Sequence, residues 1–261
     1  MIGVFDSGVG GLSVFSQLIK LLPNENYIYF GDTINLPYGN KSKEELIKIS
    51  SDIFDFFKSK NVKAVVMACN TTSATVYDDL KSKYNFEIYP IVQSVSKCIA
   101  DKNYKEIGVF ATNATVSTHA YKREIQKYNS EISVFELACP KWVSIVENSM
   151  QENKNSIDNI KMMLDKMLGN NVEKIILGCT HYPYLLNVLS KFAPEEMFID
   201  PSLYFAQFIK NDLTKKNLLN NNPTFPPKFY VSSNPKQFSL ASSIFYKVNS
   251  PEEISLSKIY N

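Results

Sequence analysis

The 261-residue sequence predicts an α/β fold with largely parallel sheets, built from two similar copies of one unit. Strand-like apolar runs alternate with helix-period segments along almost the whole chain. The tetrapeptide Ile2-Gly3-Val4-Phe5 returns as Ile107-Gly108-Val109-Phe110. In each copy a later apolar run ends on a cysteine and opens at once into polar residues. The first is Val62 to Ala68 before Cys69-Asn70-Thr71, and the second is Val172 to Gly178 before Cys179-Thr180-His181. The copies are offset by 105 residues at the tetrapeptide and 110 at the cysteine, so a short insertion separates them.

Taken in order, residues 2–5 read as a strand, followed by the turn Asp6-Ser7-Gly8-Val9-Gly10-Gly11 and an amphipathic helix through Leu22. Pro23-Asn24 breaks that helix, and Tyr27 to Phe30 is the next strand. Ser42 and Glu45 form a capping box for a helix with Leu46, Ile49, Ile53 and Phe56 on one face. A strand follows at 62–68, a helix starts at Asn70, and 88–92 is another strand. The second copy repeats the order: a strand at 107–111, a helix at 117–128, and a strand at 132–135. A helix then carries Ile157, Ile160, Leu164 and Met167, ahead of strands at 172–178 and 197–199. The polar stretch 217–222, with Pro223 and Pro226-Pro227, reads as a surface loop before a strand at 229–231 and a helix at 236–247.

Hydrophobic content of 44% and charged content of 21% describe a globular chain. A net charge of +2 gives no argument for nucleic acid or an anionic membrane surface, and no run approaches membrane-spanning length. The first residues lack the basic region and long apolar stretch of a secretory signal. The four cysteines (69, 98, 139, 179) contain no close pair, and the two histidines make a histidine-rich metal site unpromising, so no metal is expected. The expectation is a reduced, cytoplasmic protein. Arg123 is the only arginine among 28 basic residues. Bidentate arginine clamps are the ordinary way to hold two carboxylates. Here a dianionic ligand must instead be held by backbone N–H groups, hydroxyls and amides.

A buried cysteine is usually core, but Cys69 and Cys179 sit at carboxyl ends of strands, where open α/β sheets collect ligands. A helix N-terminus beyond each would favour the thiolate. Cys98 falls among apolar neighbours at helical spacing and reads as core; Cys139, in Ala138-Cys139-Pro140, reads as structural. Asp6 and Ser7 follow the first strand and suit an N-cap. The glycine turn is a weak nucleotide signal: Ser13 stands where the dinucleotide fingerprint has its third glycine, and no Walker A sequence is present. His181, two residues past Cys179, is placed to polarise a thiol or a substrate. His119 has no such company and reads as surface or helix face. Thr112 and Thr115 occupy the turn that corresponds to Asp6 and the glycines of the first copy.

Five motifs in order resemble the glutamate racemases of bacterial cell-wall synthesis. They are Asp6-Ser7-Gly8-Val9-Gly10-Gly11, Tyr29-Phe30-Gly31-Asp32, Pro37-Tyr38-Gly39, Ala68-Cys69-Asn70-Thr71 and Gly178-Cys179-Thr180-His181-Tyr182-Pro183. The resemblance covers nearly the whole chain. It implies two similar flavodoxin-like α/β domains facing each other across the active site, 1–95 with 208–261 as the first and 96–207 as the second. It implies a cofactor-independent racemase that interconverts L- and D-glutamate and supplies D-glutamate for peptidoglycan. Cys69 and Cys179 would be the two acid/base residues, assisted by Asp6 and His181 respectively. Asp6, Ser7, Pro37, Tyr38, Gly39, Asn70, Thr71, Thr112, Thr115, Glu147, Thr180 and His181 would form the substrate site. No lysine motif suggests pyridoxal phosphate, so no cofactor is expected; the partner is a small-molecule substrate, and a homodimer is the assembly to test. Gln93-Ser94 stands where many members have Glu-Pro, and Trp142 where phenylalanine is expected. Three other readings fit parts of the pattern: an aspartate racemase on the same plan, a non-catalytic amino-acid- or nucleotide-binding module, and a cysteine-dependent amidohydrolase. A second thiol serves neither of the last two.

Overall fold

The duplication is written directly into the strand order. The computed structural model describes residues 1–221 and 224–256. Its first copy runs β1 (Ile2–Asp6), α1 (Leu12–Leu21), β2 (Tyr27–Gly31), α2 (Lys43–Ser59), β3 (Ala64–Met67), α3 (Asn70–Leu80), β4 (Glu87–Pro90) and α4 (Ile91–Ala100). The second runs β5 (Glu106–Ala111), α5 (Asn113–Ser117), α6 (Ala120–Tyr128), β6 (Ser133–Ala138), α7 (Trp142–Glu147), α8 (Lys154–Leu168), β7 (Lys174–Gly178), α9 (Leu186–Leu189), β8 (Phe198–Ile199) and α10 (Pro201–Lys215). The chain then adds β9 (Lys228–Val231), α11 (Pro235–Ser242) and β10 (Glu252–Glu253). One sheet has the order β10-β9-β2-β1-β3-β4 and the other β6-β5-β7-β8. The inner order β2-β1-β3-β4 therefore matches β6-β5-β7-β8 strand for strand, and every pairing is parallel.

Side-chain alternation along these strands divides the core. Ile2 and Val4 of β1, Val66 of β3, Ile107 and Val109 of β5 and Ile176 of β7 belong to one shared core. The alternate residues Phe5, Val65 and Met67 pack with α2 on the other face of the first sheet. Ile175 and Leu177 do the same beneath α7 and α8 on the second. Burial of each such side chain stabilises the fold by about 1.5–3 kcal/mol. The repeated Ile-Gly-Val-Phe has a packing reason. A Cβ on Gly3 would lie 2.7 Å from the Phe57 ring, and one on Gly108 would lie 2.5 Å from Met167 Sδ. In both copies a helix side chain rests on the bare strand backbone.

The chain crosses between the sheets in α4 and again in α10, which pack on each other while α4 also packs on α6 and α10 on α1. Positions 95/96 and 207/208 fall inside these two helices. The capping box forms as read: Glu45 N–H donates to Ser42 Oγ at 3.2 Å, and Ser42 N–H to Glu45 Oε2 at 2.8 Å.

Several elements differ from expectation. Ile91 and Val92 open α4 instead of closing a strand, because Ser73 Oγ accepts from Val92 N–H at 3.0 Å and caps the new helix. The helix expected at 117–128 breaks at His119, whose φ is 49°. Ser117 and Thr118 hydroxyls donate to the carbonyls of Ala114 and Thr115, drawing the first turn closed. The terminal helix stops at Ser242, whose hydroxyl accepts from Val248 N–H at 3.0 Å. α7 and α10 were not expected, although Asp200-Pro201 is an N-cap followed by a first-turn proline. Asn222 and Pro223, in the loop expected over 217–227, lie outside the described residues, as do residues 257–261.

Candidate active site

The third strand of each copy, β3 and β7, delivers its cysteine to the same cavity. Cys69 is the N-cap of α3, and Cys179 follows the last residue of β7; they are 5% and 7% exposed. A cavity of about 260 Å³ is lined by both, together with Ser7, Pro37, Tyr38, Gly39, Asn70 and Thr71 from the first copy and Thr112, Glu147, Thr180 and His181 from the second. Two expected site residues stand behind its wall. Asp6 and Thr115 are fully buried and do not line it. Leu36, Asn40, Asn113, Pro140, Val143 and Ser144 line it without having been expected. Asn40 and Asn113 adjoin expected residues. Ser144 and Glu147 are one helical turn apart on α7, so recognition of that short helix would have found Ser144.

The surroundings of the two thiols are unlike. Burial pushes the Cys69 thiol up to about 12, and the Asp6 charge adds to it; Thr72, through its N–H and hydroxyl, pulls the other way. The helix N-terminus is present, but desolvation outweighs it, contrary to the expected thiolate. Beyond Cys179 there is no long helix: Tyr182–Leu185 is a 3-10 turn with Pro183 in its first positions. A histidine takes the place of the helix end. His181 Nδ1 lies 3.8 Å from Cys179 Sγ, and Nε2 lies 3.1 Å from Glu147 Oε1. Burial opposes charge on this ring, yet its hydrogen bonds to Cys179 and Glu147 prevail and push it up to about 10.

Asp6 is raised by burial, against the pull of His181 and of the Gly11 and Gly8 N–H groups; Gly8 N–H donates to Asp6 Oδ2 at 3.0 Å. Thr180 Oγ1 donates to Asp6 Oδ1 at 3.5 Å, joining the copies. Close approach there depends on Gly10, where a Cβ would lie 2.4 Å from Thr180 Oγ1 and 2.7 Å from His181 Nδ1. A second bridge joins Thr71 and Thr112 hydroxyls at 3.0 Å, and Thr115 supports Thr112 at 3.1 Å. Tyr38 is fixed by donating to Asp32 Oδ2 at 2.5 Å. Arg123 does not line the cavity; its guanidinium donates to Thr118 O and Glu124.

The remaining sequence features fall outside the cavity. Cys139 is buried behind it, and its carbonyl accepts from Tyr182 Oη at 2.9 Å. Cys98 is half-buried beside α10 and is not core. His119 is exposed and pairs with Glu136 at 2.8 Å. Trp142 is fully buried, its ring 4.7 Å from Phe110 and 5.0 Å from Tyr182. Gln93 accepts from Ser73 Oγ at 2.9 Å and donates to Ser73 O at 3.1 Å, tying α4 to α3.

One cavity thus gathers a thiol from each copy together with hydroxyl and carboxamide side chains, an arrangement able to hold a small polar molecule. The chain belongs to the Asp/Glu/hydantoin racemase family, whose model matches residues 2–207. Within that family it is 38% identical over 246 residues to glutamate racemase 2 of Caldanaerobacter subterraneus, covering 93% of this chain and 92% of the relative. A glutamate racemase from Francisella tularensis, solved in complex with D-glutamate, superposes with a TM-score of 0.91 at 33% identity, covering 98% of each chain. A glutamate racemase from Bacillus anthracis gives a TM-score of 0.92 at 28% identity, covering 98% of this chain and 97% of the other. Among the described residues, no helix is long and apolar enough to cross a membrane.

Proposed function

We propose that this chain is a glutamate racemase in which Cys69 and Cys179 exchange the α-proton of glutamate across the cavity without a cofactor. The observation that carries the mechanism is the placement of one thiol from each copy on the wall of a single cavity. One cysteine, as thiolate, removes the α-proton; the other, as thiol, delivers a proton to the opposite face. The roles exchange in the reverse direction.

The α-proton is weakly acidic, so the barrier must fall through positioning and electrostatics. The donors for the substrate carboxylates are hydroxyls, amides and the N–H groups opening α3, since Arg123 is engaged elsewhere. Burial of Cys69 serves both directions. It keeps a proton on the sulfur at neutral pH, ready for donation, and it makes the thiolate left behind a stronger base. His181, held between Glu147 and Cys179, is the matching proton reservoir on the other face.

The same proposal includes two domains, 1–95 with 208–261 and 96–207, a cytoplasmic setting, supply of D-glutamate to peptidoglycan, and a homodimeric assembly. Circular dichroism of L-glutamate with the purified protein tests the activity. Decay of the signal to zero is expected, with slower turnover of L-aspartate. A general acid or base contributes about 10²–10⁴-fold, so Cys69→Ala and Cys179→Ala should each lose at least that much. Near-normal turnover in either variant contradicts the two-thiol mechanism.

A further inference from the structure

Tyr121 is outside the substrate set, yet it reaches both thiol-bearing strand ends. It is fully buried on α6, and its hydroxyl donates to Asn70 Oδ1 at 2.6 Å. Its ring lies over the backbone of Gly178, where a Cβ would come within 3.0 Å of Cε2. One rigid phenol therefore spans from the residue before Cys179 to the residue after Cys69. Asn70 lines the cavity, and with Oδ1 taken by Tyr121 its Nδ2 is buried and has no hydrogen-bond partner among the described residues. A carboxamide has an acceptor end and a donor end, so fixing one fixes the other. A buried donor without a partner is costly until an acceptor arrives.

We propose that Tyr121 is a positioning residue: its hydroxyl locks the Asn70 amide with the donor end free for a carboxylate oxygen of the substrate, and its ring spaces the two strand ends. This rests on the racemase reading and adds to it a residue that does not line the cavity. The contact crosses the cleft, from α6 of the second copy to α3 of the first. It therefore joins substrate orientation to the relative placement of the copies.

Tyr121→Phe keeps the ring and removes only the hydroxyl, so the packing of α6 on β7 survives. Steady-state racemisation is measured in both directions for the wild type, Tyr121→Phe, Asn70→Ala and the double variant. Tyr121→Phe is expected to raise KM about 10-fold with kcat changed by less than about two-fold, the loss of one hydrogen bond to an oriented amide. In the Asn70→Ala background the same substitution is expected to change kcat/KM by less than about two-fold, because the group it positions is gone. A wild-type KM in Tyr121→Phe, or an equal fold-change in both backgrounds, overturns the proposal while leaving the racemase reading intact. A wild-type protein that racemises neither enantiomer refutes that reading, and the role of Tyr121 with it.

Discussion

His181 lies between a thiol and a carboxylate, and both favour its charged form. Its ring is pushed up to about 10 against the cost of burial, through hydrogen bonds to Cys179 and Glu147. Protonation is favoured below that value, so removing the Glu147 charge must lower it. With only two histidines in the chain, His119 exposed and His181 buried, their ring signals are readily told apart by NMR. In Glu147→Gln the His181 titration should move from about 10 toward neutral pH, and the alkaline limb of kcat/KM should move down with it. A titration that stays in place would mean that Glu147 does not hold the proton on His181. The enantiomers of glutamate have equal free energy, so kcat/KM must fall equally in both directions.

At the scale of elements, the site is assembled where short turns meet. The turn between β1 and α1 brings Gly10 against Thr180 and His181, the residues that follow Cys179. Gly10→Ala would force at least one of these groups away, and a displacement of about 1 Å costs on the order of 100-fold in rate. Racemisation should fall by about that factor, while the helices keep their far-ultraviolet dichroism. Wild-type turnover in Gly10→Ala would show that the gap between the copies has slack. The Gln93 carboxamide ties α4 to Ser73 in the first turns of α3, the helix that Cys69 caps. An element that carries the chain between sheets is thus bonded to the helix that presents a thiol.

Across the whole molecule, the matched strand orders β2-β1-β3-β4 and β6-β5-β7-β8 place the cysteines at equivalent positions in two sheets. This much was legible, because a strand that ends on a polar run announces its own carboxyl end and Ile-Gly-Val-Phe occurs twice. The capping box at Ser42 was equally local. Tertiary contacts were not legible. Nothing within 88–92 says that Ser73 will cap a helix there, and nothing near Tyr121 points to Asn70, 51 positions away. Ser144 was missed because the six residues of α7 are too few for a periodic pattern. The raised Cys69 thiol was misjudged because burial is a property of the assembled fold, whereas a helix start can be read locally. The most direct measurement for a two-thiol racemase is the conversion of L-glutamate in D₂O, stopped early and separated by enantiomer. If one sulfur removes the proton and the other delivers the deuteron, deuterium at Cα should appear in the D-glutamate formed while the remaining L-glutamate stays unlabelled. Equal labelling of product and unreacted substrate would mean that a single group serves both faces, and would contradict the mechanism.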